Sequence, residues 1–489
     1  MTSRWIVVGA DTEVPPGRAD LFCLPGETPP TLDRTDVSIF TPRDLSHALE
    51  LLRLVFAEHC EIATLGGTEV IGSDKYWCET IEKRCCEMLE DLGNCPIDCW
   101  KGARNVIRNS AAVAAGSTLR EFAGIFVGKP AICLGAGPSA TPAKLEQIRS
   151  LARTHVIFAC DSMMHACQRA GIQAQFITMI ERDAAMVEFV KGADANMVLI
   201  APAVIDPAPV AQFKRHVWWW GGCNIYKWLD PNVALANMGR SAGTLAFGAA
   251  LVAGCSPIYL VGHDLAYAPG LKGHCDDVST YAHERQVDDD AKHDGAAVYN
   301  YVRFDVPGWN GEDVTTNGLW NLFRWDIQIM MAQNKDRAFI CAQDGAGARI
   351  EGAIAGELPD AVNPTLDAVS FQLAPGGVRS PLSRVPSILM AFERIIHVCK
   401  GAAQMMVAKD NPPLDRLAAV LVINRLVKSE NIEFFRYIFR TVYSSLSLRL
   451  HLLSQSDKNP HEMHRQSLLI LCETLPVLCE KMRGELLAV

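Results

Sequence analysis

The chain has 489 residues, of which 49% are hydrophobic and 21% charged, and its formal net charge is -9. This length is enough for about three domains of ordinary size, and the composition is that of a folded globular protein rather than a disordered one. The acidic balance argues against general nucleic-acid binding, which needs a basic surface to neutralise phosphates.

The hydropathy pattern does not predict a membrane protein. The apolar run after Arg4 is interrupted at Asp11 and is too short for a signal peptide. Residues 241–262 form the most apolar stretch, but Gly254 and Pro257 divide it into a buried helix and a buried strand. The 17 cysteines are spread through apolar segments without zinc-site spacing, which is typical of free thiols in a reducing compartment. We therefore expect a cytoplasmic protein.

Residues 1–124 are predicted to form an α+β domain in which we find no chemical motif. Short apolar strands are expected at 5–8 and 61–65, and helices near 45–57 and 77–92.

Residues 125–356 alternate between strand-like and helix-like segments. Most of the strands are continuous apolar runs, which is typical of a parallel sheet covered by helices on both faces, so we predict a Rossmann-like doubly wound α/β domain. The predicted strands are 131–134, 155–159, 174–180, 197–201, 217–220, 257–261 and 338–341. The polar stretch 275–301 is expected to be a functional lid or an insertion.

Residues 357–489 begin with a proline-rich linker and continue with helical periodicity, which predicts an all-helical C-terminal domain. The predicted helices are 388–398, 416–427, 432–451 and 461–487. We expect this region to carry a partner surface or a homo-oligomer contact.

The most informative segment is the glycine turn that follows strand 131–134. Gly135-Ala136-Gly137 lies between an apolar strand and a helix expected over 143–153, so we expect free backbone N–H groups and a phosphate site there. An NAD-binding fold is the rival, because Asp161 falls where a ribose-binding acid belongs. Pro138 weakens that interpretation, since it removes an N–H from the turn.

Polar residues follow several of the predicted strands, and ligands of open α/β sheets bind at those strand ends. A second glycine-rich helix start, residues 239–244, precedes the apolar helix. The candidate residues at these positions are Gly135, Gly137, Ser139, Asp161, Glu181, Arg240, Ser241, Gly243, Asp264 and Tyr267.

These segments resemble the motility-associated factor (Maf) family of bacterial flagellin glycosyltransferases over about residues 95–356. The segments that carry the resemblance are Leu134-Gly135-Ala136-Gly137-Pro138-Ser139, Ala159-Cys160-Asp161, Ala250–Cys255, Pro257–Tyr267, Gly102-Ala103-Arg104-Asn105, Asp313-Val314-Thr315-Thr316 and Gly345–Gly352. The central domain also looks like bacterial sialyltransferases. The chain departs from these patterns at His263, where family members commonly carry Gln, and no histidine matches the catalytic histidine of sialyltransferases.

The resemblance implies transfer of a nonulosonic acid, such as pseudaminic, legionaminic or a related sialic-like acid, from a CMP-activated donor to Ser or Thr of flagellin. Gly135, Gly137 and Ser139 would hold the CMP phosphate and ribose. Asp161 and Glu181 would face the nucleotide. Ser241 and Gly243 would line a second phosphate-binding turn. CMP is a good leaving group, so no cofactor is required, and Mg²⁺ is optional.

Transfer also needs a base that takes the proton of the acceptor hydroxyl. His274 is the first candidate, because an imidazole with an ordinary pKa near 6.5 suits the task, and its alternative is a solvated loop histidine. Asp264 could orient that base or cap a turn. Asp313, beside Glu312, is an alternative base.

Two further residues leave a structural alternative open. Arg240 could pair with a sugar carboxylate or a phosphate, or form a surface salt bridge. Thr316 could touch the ligand or cap a helix.

Two other functions compete with glycosyl transfer. The first is a 6-hydroxymethylpterin pyrophosphokinase, because enzymes of that class have a related central domain. The second is a flagellin-binding module without catalysis. For the leading hypothesis, Gly135→Val is expected to abolish nucleotide binding while the core still folds.

Overall fold

A computed structural model describes the chain in segments. The described residues are 4–15, 19–33, 37–58, 68–78, 80–81, 96–219, 224–229, 238–276, 303–343, 347–360, 369–378, 380–408, 434–435, 438, 476–477 and 479–487. They fall into two compact units. The first contains Met1–Ala103, His293–Val298 and Ser383–Val489, and the second contains Arg104–Lys292 and Tyr299–Leu382. The division into domains 1–124, 125–356 and 357–489 stays a prediction.

The first unit contains a four-stranded sheet. Its strands are β1 (Arg4–Val8), β2 (Ala19–Phe22), β3 (Val37–Phe40) and β4 (Thr68–Gly72), and helix α1 (Leu45–Glu58) lies between β3 and β4 in the chain. The order is β3-β2-β1-β4 and every pairing is parallel. The core consists of apolar side chains such as Ile6 and Val8, with Phe22 stacked on Phe40 at 4.9 Å. A parallel sheet is the arrangement of α/β domains, so this sheet differs from the α+β pattern that we predicted.

Several predictions for the first unit fall on residues outside the described ones. The strand 61–65 and the helix 416–427 lie entirely outside them, and the helices 77–92, 432–451 and 461–487 are described only in part. The predicted helix 388–398 is confirmed within a longer helix, Val385–Ala408. Its Phe392 packs edge-on against Trp100, with ring centroids 5.8 Å apart.

The second unit contains a nine-stranded sheet whose pairings are all parallel. Its order is β15-β14-β11-β6-β7-β8-β9-β10-β5. The strands are β5 (Ser117–Thr118), β6 (Ala131–Leu134), β7 (Val156–Cys160), β8 (Phe176–Thr178), β9 (Val198–Pro202), β10 (Arg215–Trp219), β11 (Ile258–Val261), β14 (Phe339–Cys341) and β15 (Ile354–Ala355). The seven predicted strands are confirmed with small boundary shifts, and so is a mixed α/β fold with a large parallel sheet.

The longer helices of this unit are α5 (Pro142–Leu151), α10 (Ala242–Val252) and α11 (Gly318–Ala332). Helix α2 (Pro96–Arg108) begins in the first unit, and the helix Val385–Ala408 described above, α12, belongs to the first unit. Shorter helices are α3 (Ser110–Ala115), α4 (Leu119–Phe122), α6 (Met164–Arg169), α7 (Val187–Val190), α8 (Pro207–Val210) and α9 (Asn224–Leu229).

The core of the second unit lies between the sheet and α10. All residues of α10 from Thr244 to Leu251 are buried, which explains why this helix is apolar on every side. On the same core, Phe122, Phe158 and Phe176 pack ring against ring. The core thereby fixes the position of the N-terminus of α10 relative to the strand ends.

The strand order places a topological switch point between β6 and β11. From β6 the chain adds β7, β8, β9 and β10 on one side, and it then returns to add β11 and β14 on the other side. The connections of the two neighbouring strands therefore leave in opposite directions, and a crevice opens at their carboxyl ends. An antiparallel hairpin, β12 (Arg303–Pro307) with β13 (Asp313–Asn317), precedes α11 and was not predicted.

Among the described residues, no helix combines the length and apolar character that crossing a membrane requires. The cysteines that the structure describes are free thiols, and all of them except Cys78 are buried.

Candidate functional site

A cavity of about 200 Å³ lies at the switch point, at the carboxyl ends of β6, β7 and β11. We call this edge of the sheet, with the residues that follow these three strands, the central rim. The cavity is lined by Gly135, Ala136, Gly137, Cys160, Asp161, Ser162, Ser241, Ala242, Gly243, Thr244, Gly262, His263, Leu265, Ala266, Gly273, His274, Trp320 and Phe323.

The glycine turn after β6 does not present the free amides that we predicted. The N–H of Gly135 donates to Val261 O at 2.8 Å, and that of Gly137 donates to Gly262 O at 2.9 Å. The N–H of Ser139 donates to Asp264 Oδ2 at 3.1 Å. The prediction is wrong for these three groups, because the last residue of β11 and the loop that follows it supply their acceptors.

Glycine is required in this turn because two loops pack backbone against backbone. A Cβ on Gly135 would strike Gly262 O, and a Cβ on Gly137 would strike the Asp264 carboxylate. The expectation that Gly135→Val leaves the core folded is therefore corrected, since the valine would push the loops after β6 and β11 apart.

Ser139 and Asp264 join those two loops through hydrogen bonds. Ser139 Oγ donates to Asp264 Oδ2 at 2.9 Å and accepts from the N–H of Gly262 at 3.1 Å. Both side chains are buried, and neither lines the cavity. Their direct role in the structure is to hold the shape of the central rim.

The N-terminus of α10 supplies hydrogen-bond donors to the cavity. Ser241 caps the helix: its Oγ accepts from the N–H of Thr244, and Thr244 Oγ1 accepts from the N–H of Ser241. Ala242 and Gly243 line the cavity, and the amides of these first two helical positions have no acceptor within a helix. Partial positive charge at this end of α10 favours an anion.

His263 lies beside this helix terminus and is 3% exposed. Its Nδ1 is 3.1 Å from Val261 O, and its Nε2 is 3.1 Å from Gly243 O. Burial lowers the pKa of His263, while the two carbonyl contacts oppose that change. From the sequence we identified His263 only as a departure from the family pattern.

Asp161 lines the cavity at the end of β7 and is 7% exposed. Burial raises the pKa of its carboxyl to about 7, and the negative charge of Glu181 adds to the rise. The N–H of Ser162, which donates to Asp161 Oδ1 at 2.8 Å, opposes it. A carboxyl with a pKa near neutrality is suited to accept a proton in catalysis. Glu181 itself is exposed and does not line the cavity.

An aromatic wall lies in the same cavity. Trp320 and Phe323 of α11 line it, and the Trp320 ring packs 4.4 Å from that of Tyr267 and 6.5 Å from that of His274. Asn317 caps α11 by accepting from the N–H of Trp320, and its Nδ2 donates to Tyr267 Oη at 3.0 Å. We did not predict Trp320 or Phe323. Their spacing of three residues behind an Asn cap is the signal that could have identified them.

The loop between β11 and His274 is held by Thr316. Thr316 is buried, and its Oγ donates to Leu265 O at 2.7 Å. Leu265 has a φ of 48°, in the left-handed region that side chains other than glycine rarely adopt. Of the two roles predicted for Thr316, the structure shows neither a helix cap nor a lining position; its side chain supports Leu265, which lines the cavity.

Arg240 and Asp313 lie outside the cavity lining. Arg240 is exposed, and its Nε lies 3.5 Å from Oδ2 of Asp326, which is buried. Burial raises the pKa of Asp326, and the charge of Arg240 opposes the rise. Asp313 is exposed at the end of β13 that is remote from Asn317, roughly 13 Å along the strand at the usual rise per residue.

The central rim thus brings together about half of the predicted residues. Gly135, Gly137, Asp161, Ser241, Gly243 and His274 line the cavity. Ser139, Asp264, Tyr267 and Thr316 contact residues that line it. The contacts described above do not place three predicted residues in the cavity lining or against a residue that lines it. These residues are Glu181, Arg240 and Asp313. Among the residues that the structure describes, no three His, Cys, Asp or Glu side chains group so that they could hold a metal ion.

Known proteins are similar to this chain in part of its sequence and in its fold. The family model described as 6-hydroxymethylpterin diphosphokinase MptE-like matches residues 104–270. The comparison with curated protein sequences found no match. Among solved structures, a MAf glycosyltransferase from Magnetospirillum magneticum AMB-1 is similar with a TM-score of 0.52 and 14% identity, over 100% of this chain and 80% of that one. The chain therefore shares its fold with a Maf glycosyltransferase, which confirms the predicted resemblance at the level of the fold.

Proposed function

We propose that the chain is a glycosyltransferase that moves a nonulosonic acid from a CMP-activated donor to Ser or Thr hydroxyls of flagellin in the cytoplasm, before flagellin is exported. The observation that carries the proposal is the N-terminus of α10, which opens into a cavity at the switch point of a parallel sheet. Nucleotide phosphates bind α/β proteins at such positions. The fold shared with a Maf glycosyltransferase supports the choice of chemistry.

The donor would be held through its phosphate and its base. The amides of Ala242 and Gly243 are placed to donate to the phosphate, in the field of the α10 dipole. The flat faces of Trp320 and Phe323 suit the pyrimidine ring, because stacking of a base on an aromatic side chain contributes about 1–3 kcal/mol. This assignment replaces the predicted phosphate contacts of the Gly135–Ser139 amides, three of which are bonded within the protein.

Transfer requires one bond to form and one to break. The acceptor hydroxyl oxygen bonds to the anomeric carbon, and the bond from that carbon to the CMP phosphate oxygen breaks with its electron pair, so that CMP leaves. The positive end of α10 stabilises the charge on the departing phosphate. The hydroxyl proton passes to a base that lines the cavity, for which His274 and Asp161 are the candidates.

A second candidate function is diphosphate transfer to 6-hydroxymethylpterin. The family model that matches residues 104–270 favours it. In that reaction the pterin hydroxyl oxygen attacks the β-phosphorus of ATP and AMP leaves. The same helix terminus could bind the phosphates of ATP, so the two reactions differ in donor and product rather than in the position of the site.

The two functions are separated by incubating the whole chain with each substrate pair. With flagellin and a CMP-nonulosonate we expect CMP release and a matching increase in flagellin mass. His274→Gln is expected to slow the reaction about 10²–10⁴-fold if His274 is the base. His397→Gln, at an exposed position of α12, is the matched control. Formation of AMP from ATP and the pterin, without CMP release, would support the second function and contradict the first.

A further inference from the structure

His263 is held between two groups that can only accept hydrogen bonds. Its Nδ1 faces Val261 O and its Nε2 faces Gly243 O, each at 3.1 Å. A neutral imidazole carries one N–H, so it can donate to only one of these oxygens and turns a nitrogen lone pair toward the other. An imidazolium carries two N–H groups and satisfies both. The surroundings of His263 are thus complementary to its protonated form.

Two features oppose that protonated form when the cavity contains no anion. The ring is 3% exposed, and burial without a counter-charge disfavours an imidazolium. The ring also lies at the N-terminus of α10: a Cβ added to Gly243, the second residue of the helix, would be 3.4 Å from Nε2. The partial positive charge of this helix end repels a second positive charge.

An anion at the N-terminus of α10 removes both obstacles. It supplies the missing counter-charge and offsets the positive end of the helix, and it does so in the cavity that His263 lines. We propose that His263 takes up a proton when a dianion binds at the N-terminus of α10, so that the cavity binds dianions more tightly as the pH falls. This inference rests on the proposed function only in that an anionic group binds there.

Asp161 and His274 are the groups whose titration most resembles this behaviour. Both line the cavity, and protonation of either side chain as an anion approaches would likewise take up a proton. Two other groups differ: Asp264 is bonded to Ser139, and Arg240 is exposed beside Asp326. The titratable and charged groups on the elements that form the cavity with His263 are Cys160 at the end of β7, Asp161 directly after it, Asp264 after β11, His274 in the following loop, and Arg240 before α10.

Sulfate is a suitable probe, because it carries two negative charges throughout the pH range in which histidine titrates. In the wild-type chain with ring-labelled histidine, we expect sulfate to move the ¹⁵N signals of His263, assigned through their contacts with Gly243, from neutral to imidazolium values. The dissociation constant of sulfate is expected to rise up to about tenfold per pH unit above neutrality, the limit for uptake of one proton.

Three variants identify the group that takes up the proton. In His263→Gln, which keeps an N–H donor but cannot titrate, the dependence of sulfate affinity on pH is expected to be lost. In Asp161→Asn and in His274→Gln it is expected to remain. The reverse pattern would overturn the proposal, and so would ¹⁵N signals of His263 that stay at neutral values in the wild-type chain at saturating sulfate. The second result does not depend on whether any variant folds.

The result that would contradict the proposed function differs from the result that would contradict this inference. If sulfate protonates His263 but no CMP-nonulosonate is consumed, the inference stands and the glycosyltransferase proposal does not. If CMP is released from the donor while His263 stays neutral with sulfate bound, the function stands and the inference does not.

Discussion

The two sheets of the chain share a local topology but differ in what occupies their carboxyl edge. In the N-terminal sheet the order reverses beside β1, with β2 on one side and β4 on the other, as it does beside β6 in the large sheet. At both edges a glycine packs directly against the backbone of a neighbouring segment. A Cβ on Gly72 would strike Val8 O, and a Cβ on Gly135 would strike Gly262 O.

In the N-terminal sheet the chain supplies its own anion. Glu27 Oε2 accepts from the N–H groups of Ala10 and Leu24, each at 2.7 Å. In the central rim the carboxylate of Asp264 accepts from the N–H and hydroxyl of Ser139, and the terminus of α10 opens into the cavity. We therefore propose that the carboxylate of Glu27 closes the edge of the N-terminal sheet, whereas the helix terminus leaves the central rim open to a ligand.

The largest predicted effect is a pH dependence of the stability of the central rim. Because burial raises the pKa of Asp161 from 3.8 to about 7, the folded chain holds this proton more tightly than the unfolded chain does. This contribution to stability is complete below about pH 4 and is lost as the pH rises through about 7, by up to about 4 kcal/mol. Asp161→Asn should remove it. Hydrogen exchange of β7 in denaturant, compared between wild type and variant across this range, measures it; a difference that is independent of pH would contradict the assignment.

Gly135→Val should disrupt the packing of the central rim. Its Cβ would meet Gly262 O, and the added methyl groups increase the conflict, so we expect the free energy of unfolding to fall by about 3 kcal/mol. Gly401→Val is the control, because an added Cβ there meets nothing within 4 Å. Hydrogen exchange of β6 and β11 reports the change. Unchanged protection in Gly135→Val would mean that the two loops are not held in contact.

Asp264→Asn tests the hydrogen bonds that join the loops after β6 and β11. The asparagine amide keeps one acceptor oxygen but carries no charge, so its hydrogen bonds with the N–H and Oγ of Ser139 are weaker. We expect the free energy of unfolding to fall by about 2 kcal/mol. Asp336→Asn, at an exposed position, is the control. Equal stability of the two variants would show that the Asp264 carboxylate does not hold the rim.

Glu27→Gln should have the smallest effect on stability. The side-chain oxygen can still accept from Ala10 and Leu24, but two charge-assisted hydrogen bonds become neutral, for a loss of about 1 kcal/mol in the N-terminal sheet. Hydrogen exchange of the β1 and β2 amides measures this loss, and Asp33→Asn, at an exposed position, is the control. If Glu27→Gln is as stable as wild type, the charge of Glu27 does not stabilise the edge of the N-terminal sheet, and the electrostatic difference between the two edges is contradicted.

The large sheet could be predicted because most of its long strands are continuous apolar runs, and buried parallel strands need such runs. The hairpin β12–β13 could not, since side chains such as Arg303 and Asp305 are exposed and leave no core pattern. The parallel arrangement of β1 to β4 could not be predicted either, because a short apolar segment does not show which strand it pairs with.

The candidate site was predicted in position but not in detail. Residues at strand ends and helix starts follow from local sequence, so Asp161, Ser241 and Gly243 were found. The contact of Ser139 with Asp264 spans 125 positions, and no local pattern reveals that this carboxylate occupies the amide at Ser139. The expectation of free amides in the glycine turn was wrong for this reason.

The central claim is that the N-terminus of α10 binds the phosphate of the donor. Titration of CMP into the whole wild-type chain and into Gly243→Ala tests it most directly, because the added Cβ makes only an ordinary contact, 3.4 Å from His263 Nε2, while standing at the helix terminus. We predict that the wild type binds CMP and that the variant, with unchanged stability, binds it at least about tenfold more weakly, a difference of about 1.4 kcal/mol. Equal affinity in the two chains would contradict the claim.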